Sequence, residues 1–297
     1  MTQSPDILCI GSVLWDIIGR TASSMRVGSD VPGRITRLPG GVAMNIAMTL
    51  RRFGMHPALL TTIGRDPEGE ELVAEALRMG MICDHIYRSE DLPTDVYMAI
   101  EGANGLIAAI ADAHSLEAAG DKILRPLTNG ALGSEDKPYA GIVALDGNLT
   151  EDLLQRIATS PLFAQADLRV APASPGKAER LLALLGHPSA TLYVNLEEAG
   201  LLCQTQFDTS ETAATALVAR GAHRVLVTDG GRAATECLNG DAVTATPPAV
   251  MVNRVTGAGD TFMAAHIASE AQGMDRHAAL TRALNAAATY VSGDTPL

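Results

Sequence analysis

The chain has 297 residues, 47% of them hydrophobic, and a formal net charge of −12. That length can bury a sizeable core without disulfides, and no run of about 18 apolar residues offers a membrane-spanning helix. The negative charge, with no basic block, disfavours a long polyanion such as DNA, but a local site can still oppose the global sign and take a small phosphate ligand.

Cys9, Cys83, Cys203 and Cys237 lie far apart and form no Cys-x-x-Cys pair, and no two histidines have helical metal-ligand spacing. Buried thiols in a reduced, cytoplasmic protein fit this pattern. Residues 1–6 have neither a basic stretch nor a separate apolar segment, so no secretory signal is expected.

Ile7-Leu8-Cys9-Ile10 followed by Gly11 reads as a buried strand ending at a turn. Residues 20–38 are polar and turn-rich, with short β-like pieces. Gly40-Gly41 opens a helix in which Val42, Ile46, Met48, Leu50 and Phe53 follow helical spacing until Gly54. A strand over 58–62 and a helix from Glu68 to Met79 come next. Segments 95–100 and 106–110 flank a loop with Asn104-Gly105, a hairpin signal. Strands over 141–145, 168–171, 191–194 and 224–228 then alternate with helices near Asp152, from Lys177, and up to Arg220. A second hairpin is expected over 233–245, and the last two helices start near Ala258 and Asp275.

Repeated βα units imply an α/β fold with a mostly parallel sheet covered by helices on both faces. The early hairpins do not belong in that sheet. They predict a small β lid, with segments near 12–39 and 94–112, attached to a single unit spanning 1–297.

Ligands of an open parallel sheet collect at the carboxyl ends of its strands, near helix N-termini. Polar clusters fall at such points: Asp16, Gly40-Gly41 with Asn45, Asp146 with Asn148, Asn195 with Glu198, 228–231, and the turn 257–260. In that last turn Gly257, Ala258 and Gly259 can present successive N–H groups to an anion at a helix start. Asp260 follows in the first helical turn, where the dipole favours its charged form; ionised at neutral pH, it could take a proton from a substrate hydroxyl. The same residues would also serve as a plain glycine turn with an acidic helix start. A Walker A loop is absent, because Gly176-Lys177 lacks the earlier glycine and the following hydroxyl residue. A dinucleotide fingerprint is absent too, because Phe262 stands where its third glycine belongs.

Five stretches in order carry a family resemblance: 38–47 running on to Gly54, Gly64-Arg65-Asp66-Pro67-Glu68-Gly69, Asn195-Leu196-Glu197-Glu198, Thr228-Asp229-Gly230-Gly231, and Thr256-Gly257-Ala258-Gly259-Asp260. Over nearly its whole length the chain resembles the ribokinase-like, or PfkB, family of sugar and nucleoside kinases. The resemblance implies a ribokinase-like three-layer α/β/α sandwich with a β lid, and ATP and Mg²⁺ as cofactors. It makes Asp260 the general base and Gly257, Ala258 and Gly259 the anion hole. Glu198 with Asn195 would organise Mg²⁺ through water, though the pair can equally be a helix start. Asn195, Thr228, Gly230, Gly231, Thr256 and Asn285 would line the nucleotide site. Asp16, Gly40, Gly41 and Asn45 would hold substrate hydroxyls.

Two departures stand out. Arg254 puts a cation beside the anion hole, at odds with the family's usual monovalent-cation (K⁺) site. Ala171-Pro172 replaces a common Asp-Pro. Within the family the chain is most similar to pseudouridine kinases, through 32–42, 108–112 and 253–260. Asp112 would then contact base or ribose, or else cap the helix near Leu116, and Tyr97 and Met98 could cover a base. The expected activity is ATP-dependent phosphorylation of a nucleoside, pseudouridine, at its primary hydroxyl. The alternatives are the same chemistry on a free sugar such as ribose, fructose or a keto-deoxy acid, and a nucleotide-binding protein without turnover. Lids of this sort can pair between subunits, so a homodimer is a candidate, although lid edges can also be capped by their own loops.

Overall fold

The computed structural model describes residues 4–26 and 28–293. The chain opens with β1 (Ile7–Ile10), then β2 (Leu14–Arg20) and β3 (Arg34–Gly40) run into α1 (Val42–Arg52). Next come β4 (Pro57–Leu60), β5 (Thr62–Gly64), α2 (Pro67–Arg78), β6 (Tyr87–Ser89), β7 (Val96–Gly102), β8 (Gly105–Asp112) and the short α3 (Ser115–Ala119). The alternating part comprises β9 (Ile142–Asp146), α4 (Glu151–Thr159), β10 (Asp167–Ala171), β11 (Ala190–Asn195), α5 (Leu196–Cys203), α6 (Ser210–Ala219), β12 (Arg224–Thr228), β13 (Ala234–Leu238) and β14 (Asp241–Ala245). Helices α7 (Ala258–Ala271) and α8 (Arg276–Ser292) follow.

The main sheet has eight strands in the order β14-β13-β12-β11-β10-β9-β1-β4, parallel from β12 to β4 and antiparallel beyond it. Strand side chains alternate between faces, and the sequence loads both faces with apolar residues. Leu8, Ile10, Val143, Leu145, Leu168, Val170, Leu192, Val194, Val225 and Val227 pack under α3 to α6. Ile7, Cys9, Leu59, Ala144, Ala171, Tyr193 and Leu226 pack under α1, α2, α7 and α8. The result is three layers, helices on sheet on helices. No helix among the described residues is long and apolar enough to cross a membrane.

The lid is a separate four-stranded sheet, ordered β3-β2-β7-β8. Asp66 caps α2 through Gly69 N and also accepts from Thr94 N (2.7 Å) and Thr94 Oγ1 (2.5 Å), so it pins the lid base to α2. Two elements differ from expectation. The strand expected over 58–62 divides at Thr61, and β5 leaves the main sheet to pair with β6. The helix expected from Lys177 is a 3-10 segment, Pro175–Leu184. With three residues per turn, it stacks Ala178, Leu181 and Leu184 in one line on the core.

Helix α7 is buried at nine consecutive positions, from Thr261 to Ser269, and is sandwiched between the sheet, α1 and α8. It carries His266 and Glu270 into a charged cluster under the sheet. Glu270 accepts from Arg169 Nη1 (2.5 Å) and Arg224 Nη2 (2.5 Å), and Glu236, fully buried, accepts from Arg224 Nε (2.9 Å) and Arg276 Nε (2.7 Å). Tyr193 Oη meets His266 Nδ1 at 2.9 Å. Burial alone would raise the Glu236 carboxyl. His266, Arg224 and Arg276 around it outweigh burial and hold it at about 2. Its stabilising contribution is therefore present above the ordinary carboxylate range and lost as pH falls through about 2. Glu236→Ala leaves a buried void and removes the carboxylate shared by Arg224 and Arg276, which keep Glu270 and Asp241 as partners; it is expected to cost about 3 kcal/mol, read as a lower midpoint in thermal or denaturant unfolding near neutral pH.

Candidate active site

The carboxyl ends of the parallel strands form one edge, and polar residues gather there. Ser12, just past β1, donates from its backbone N (2.7 Å) and its Oγ (2.5 Å) to Asp146 Oδ2 at the end of β9. Asn148 N donates to Asp146 Oδ1 (2.8 Å), and Lys177 Nζ donates to Asn148 Oδ1 (2.6 Å). The same Ser12 Oγ accepts from Val42 N (2.9 Å), the first residue of α1. Asp146 is thus fully buried yet paired, and with Ser12 it ties the ends of β1 and β9 to the start of the helix that presents Asn45.

Asp16 is not in the turn after β1, where the sequence suggested it, but within β2 of the lid. Its cross-strand neighbours are Leu38 and Tyr97, which share its face of the sheet. Gly40 closes β3 against this carboxylate: a Cβ there would lie 2.0 Å from Asp16 Oδ2, so only glycine admits the close approach. Gly41 is the N-cap of α1. One turn on, Asn45 Nδ2 donates to Asp260 Oδ2 at 2.8 Å. The lid, α1 and α7 therefore meet at one cleft.

Asp260 occupies the third position of α7, after the N-cap Gly257, whose φ of +86° is a glycine conformation. Helix N-termini leave first-turn amides without intrahelical partners, so the amides of Gly259 and Asp260 can face an anion. Ala258 N is already taken by Val255 O (3.0 Å), which narrows the anion hole expected from Gly257, Ala258 and Gly259.

The expected ionisation of Asp260 needs correction. Burial pushes its carboxyl up to about 7; the Asn45 hydrogen bond opposes the shift, while the carboxylates of Asp146, Asp16 and Glu198 add to it. Burial likewise raises Asp16 to about 6 and Glu198 to about 7. The helix dipole is outweighed because the fold brings four carboxylates into one poorly hydrated cleft, which no reading of the local turn discloses.

Asn195 and Thr228 sit side by side at the ends of β11 and β12. Asn195 and Glu198 form a reciprocal capping box on α5: Glu198 N to Asn195 Oδ1 is 2.9 Å, and Asn195 N to Glu198 Oε2 is 2.8 Å. The helix-start role is real, and the Glu198 carboxylate also adds to the upward shift of Asp260. Gly230 and Gly231 are exposed in a turn closed by Arg232 N donating to Asp229 O (2.9 Å). Thr256 O accepts from Tyr290 Oη (2.9 Å), and Asn285 is exposed on α8. Asp112 parts from the rest. Register places it on the lid face opposite Asp16, beside Val96 and Trp15, and the cap of α3 is supplied instead by Asp95, which accepts from Ser115 N and Leu116 N. Met98 lies on that far face too, whereas Tyr97 is on the Asp16 face.

Comparison with known proteins agrees with this geometry. The profile of the "pfkB family carbohydrate kinase" group matches residues 4–294. The chain belongs to the pfkB carbohydrate kinase family. It is 30% identical over 280 residues to an "uncharacterized sugar kinase", YeiI, of Escherichia coli, covering 92% of this chain and 74% of that protein. It is 27% identical to the pseudouridine kinase of Escherichia coli over 89% of this chain and 83% of that one. A carbohydrate kinase from Agrobacterium tumefaciens superposes with a TM-score of 0.81 at 25% identity, covering 99% and 94% of the two chains. Arabidopsis thaliana ribokinase, solved with ribose and ATP, superposes with a TM-score of 0.78 at 21% identity, covering 97% and 93%. The fold is ribokinase-like, as the resemblance implied. The protein is a kinase of the sugar and nucleoside type, a phosphotransferase acting on an alcohol with ATP.

For this pfkB kinase, Ser12, Tyr290 and Lys177 escaped sequence reasoning, and Asp146 and Asn148 were noticed without a role. Ser12 carries one faint signal, its place two residues beyond a buried strand; Tyr290 on the last helix carries none.

As the expected base, Asp260 with its carboxyl near 7 would act only when ionised. The kcat/KM for the acceptor is expected to rise with pH through about 7 and to be lost below it. Asn45→Leu removes the hydrogen bond that favours the ionised form, so the acid limb of the pH–rate profile shifts to higher pH. An unmoved limb would assign it to another group.

Proposed function

We propose that this kinase transfers the γ-phosphoryl group of ATP to the primary hydroxyl of a nucleoside, converting pseudouridine to pseudouridine 5′-phosphate. The observation that carries the chemistry is the Asn45–Asp260 contact at 2.8 Å, which sets a base at a helix N-terminus beneath a lid that carries Asp16. Asp260 takes the hydroxyl proton as the phosphoryl group moves, while first-turn amides of α7 and the Gly257 turn hold the charge that develops on it. Asp16 and Asn45 hold ribose hydroxyls. Closure of the lid segments near 12–39 and 94–112 over the cleft excludes water and limits ATP hydrolysis.

The nucleoside assignment rests on Asp16 being flanked on its own face by Leu38 and Tyr97. This sets an apolar residue and an aromatic ring on either side of a carboxylate, suited to a base stacked beside its ribose. Similarity to proteins named pseudouridine kinase supports it, and similarity to fructoselysine 6-kinase keeps sugars in the test.

ATP binds over 228–231, Thr256 and Asn285. Among the described residues no cluster of three or more acidic, His or Cys side chains could hold a metal by itself. Mg²⁺ suits such a site, because it keeps waters and binds mainly through phosphates and one or two carboxylates. The raised carboxyls of Glu198 and Asp260 mark a cleft that favours positive charge. Bound with ATP, Mg²⁺ offsets phosphate charge, with Glu198 reaching it through water. The Arg254 guanidinium, stacked on the Tyr290 ring and bonded to its carbonyl, is a fixed cation near the α7 turn, so turnover is expected not to depend on K⁺. The four cysteines are free, in keeping with a cytoplasmic location.

The lid also suits pairing with a second copy of the chain. Ile35, Met98, Ile100 and Ile110 share the face away from Asp16, and Ile35 and Ile110 are 77% and 68% exposed. An apolar sheet face of this kind is a protein-contact surface.

An ADP-release assay across pseudouridine, uridine, ribose, fructose and fructoselysine, run in Na⁺ and in K⁺, is expected to show fastest turnover with pseudouridine, dependent on Mg²⁺ and unchanged by the alkali cation. Asp260→Asn is expected to lower kcat about a hundredfold or more while sparing ATP binding. A preference for a free sugar would replace the nucleoside reading, and near-normal turnover of Asp260→Asn would remove Asp260 as base. In sedimentation, Ile110→Lys is expected to convert a dimer into monomers.

A further inference from the structure

The segment before α7 is pinned to the far end of α8. Asn253 N and Arg254 N donate to Val291 O (2.8 and 3.2 Å), and Asn253 Nδ2 donates to Ser292 O (2.6 Å). Arg254 Nε donates to Tyr290 O (2.8 Å), and its guanidinium lies 3.8 Å from the centre of the Tyr290 ring. A cation there meets the negative end of α8 and the face of an aromatic ring together. The other end of that ring reaches the catalytic turn. Tyr290 Oη donates to Thr256 O (2.9 Å), and it fills the space in which a Cβ on Gly257 would lie, 2.5 Å away.

These contacts form a chain. Arg254 fixes the ring, the ring fixes the Thr256 carbonyl and the Gly257 backbone, and that peptide sets the direction of the first α7 amides. We propose that Arg254 is a positioning residue for phosphoryl transfer: stacked on Tyr290 at the end of α8, it holds the Thr256-Gly257 peptide so that the α7 amides converge on the migrating group. The proposal deepens the kinase reading and rests on it for its kinetic consequence. Its structural consequence stands independently.

Arginine is the residue type the position calls for. A planar guanidinium can stack on a ring and donate in its own plane at once, which an ammonium cannot. Charge alone does not explain the contact, because the ring and the Tyr290 carbonyl are met by different parts of the same group.

The test uses Arg254→Ala and Tyr290→Phe in the full chain. Tyr290→Phe keeps the stacking face and deletes only the hydroxyl on Thr256, so it tests the chain of contacts even where the alanine variant folds poorly. Both variants are expected to lower kcat about ten- to hundredfold with the acceptor KM little changed, because positioned donors act on the transition state. Their effects are expected to be non-additive in the double variant. Guanidinium ion at millimolar concentration is expected to restore part of the kcat of Arg254→Ala and none of that of Tyr290→Phe. Hydrogen exchange of the Ala258 and Thr261 amides, which donate to Val255 O and Gly257 O, is expected to quicken in both variants. Unchanged exchange at these two amides would overturn the proposal whether or not an acceptor is found. Wild-type kcat in Tyr290→Phe would overturn it as well. A wild-type protein without turnover on any sugar or nucleoside would sink the kinase reading instead, and exchange alone would then decide the role of Arg254.

Discussion

A single side-chain hydrogen bond, Asn45 to Asp260, joins residues 215 positions apart and brings the starts of two helices together at the mouth of the sheet. The rest of the site is arranged around it. The Ser12–Asp146 pair fixes where α1 begins, and the charged cluster around Glu236 and Glu270 fixes where α7 lies against the sheet. If either helix slid by one turn, the base and its partner would separate by about 5 Å.

The cleft concentrates like charge. Asp16, Asp146, Glu198 and Asp260 face one poorly hydrated space, and three of them are pushed well above the ordinary carboxylate range. Asp146 is paired by Ser12 and Asn148. Negative charge concentrated in this way favours a ligand that brings cations along. The same electrostatics hold Asp260, the proposed base, near the pH at which a group can both accept and release a proton.

Much of the architecture was legible because it follows from side-chain alternation. Strands such as Ile7-Leu8-Cys9-Ile10 are apolar on both faces, and a strand buried on both sides reads that way in any single sequence. The hairpin at Asn104-Gly105 was equally plain. The break at Thr61 was not, because leaving one sheet for another depends on Tyr87, a partner far along the chain. Residues within a motif, such as Asn45, Gly257 and Asp260, stand out in the sequence, and the fold brings Asn45 and Asp260 into contact. Residues that act by leaning on a motif, such as Ser12 and Tyr290, were not, because their partners lie 134 and 34 positions away. Asp112 shows the opposite failure: its place at a strand end suggested the cleft, but alternation along β8 puts it on the other face. The ionisation of Asp260 differs from the local expectation for the same reason: the turn carries the helix dipole but not the burial, or the further carboxylates, that the rest of the fold imposes.

The continuous burial of α7 has an evolutionary consequence. A surface helix can drift on its outward side while its inner side holds the fold. From Thr261 to Ser269 this helix has no outward side. Its run of alanines leaves no room for larger side chains, and any that entered would push the helix axis and carry Asp260 with it. Lineages of this protein should therefore adapt to new acceptors by changing the lid strands, whose outer positions are open, while the helix that bears the base stays almost unaltered. Catalysis and specificity are thus lodged in parts of the chain that can evolve at different speeds.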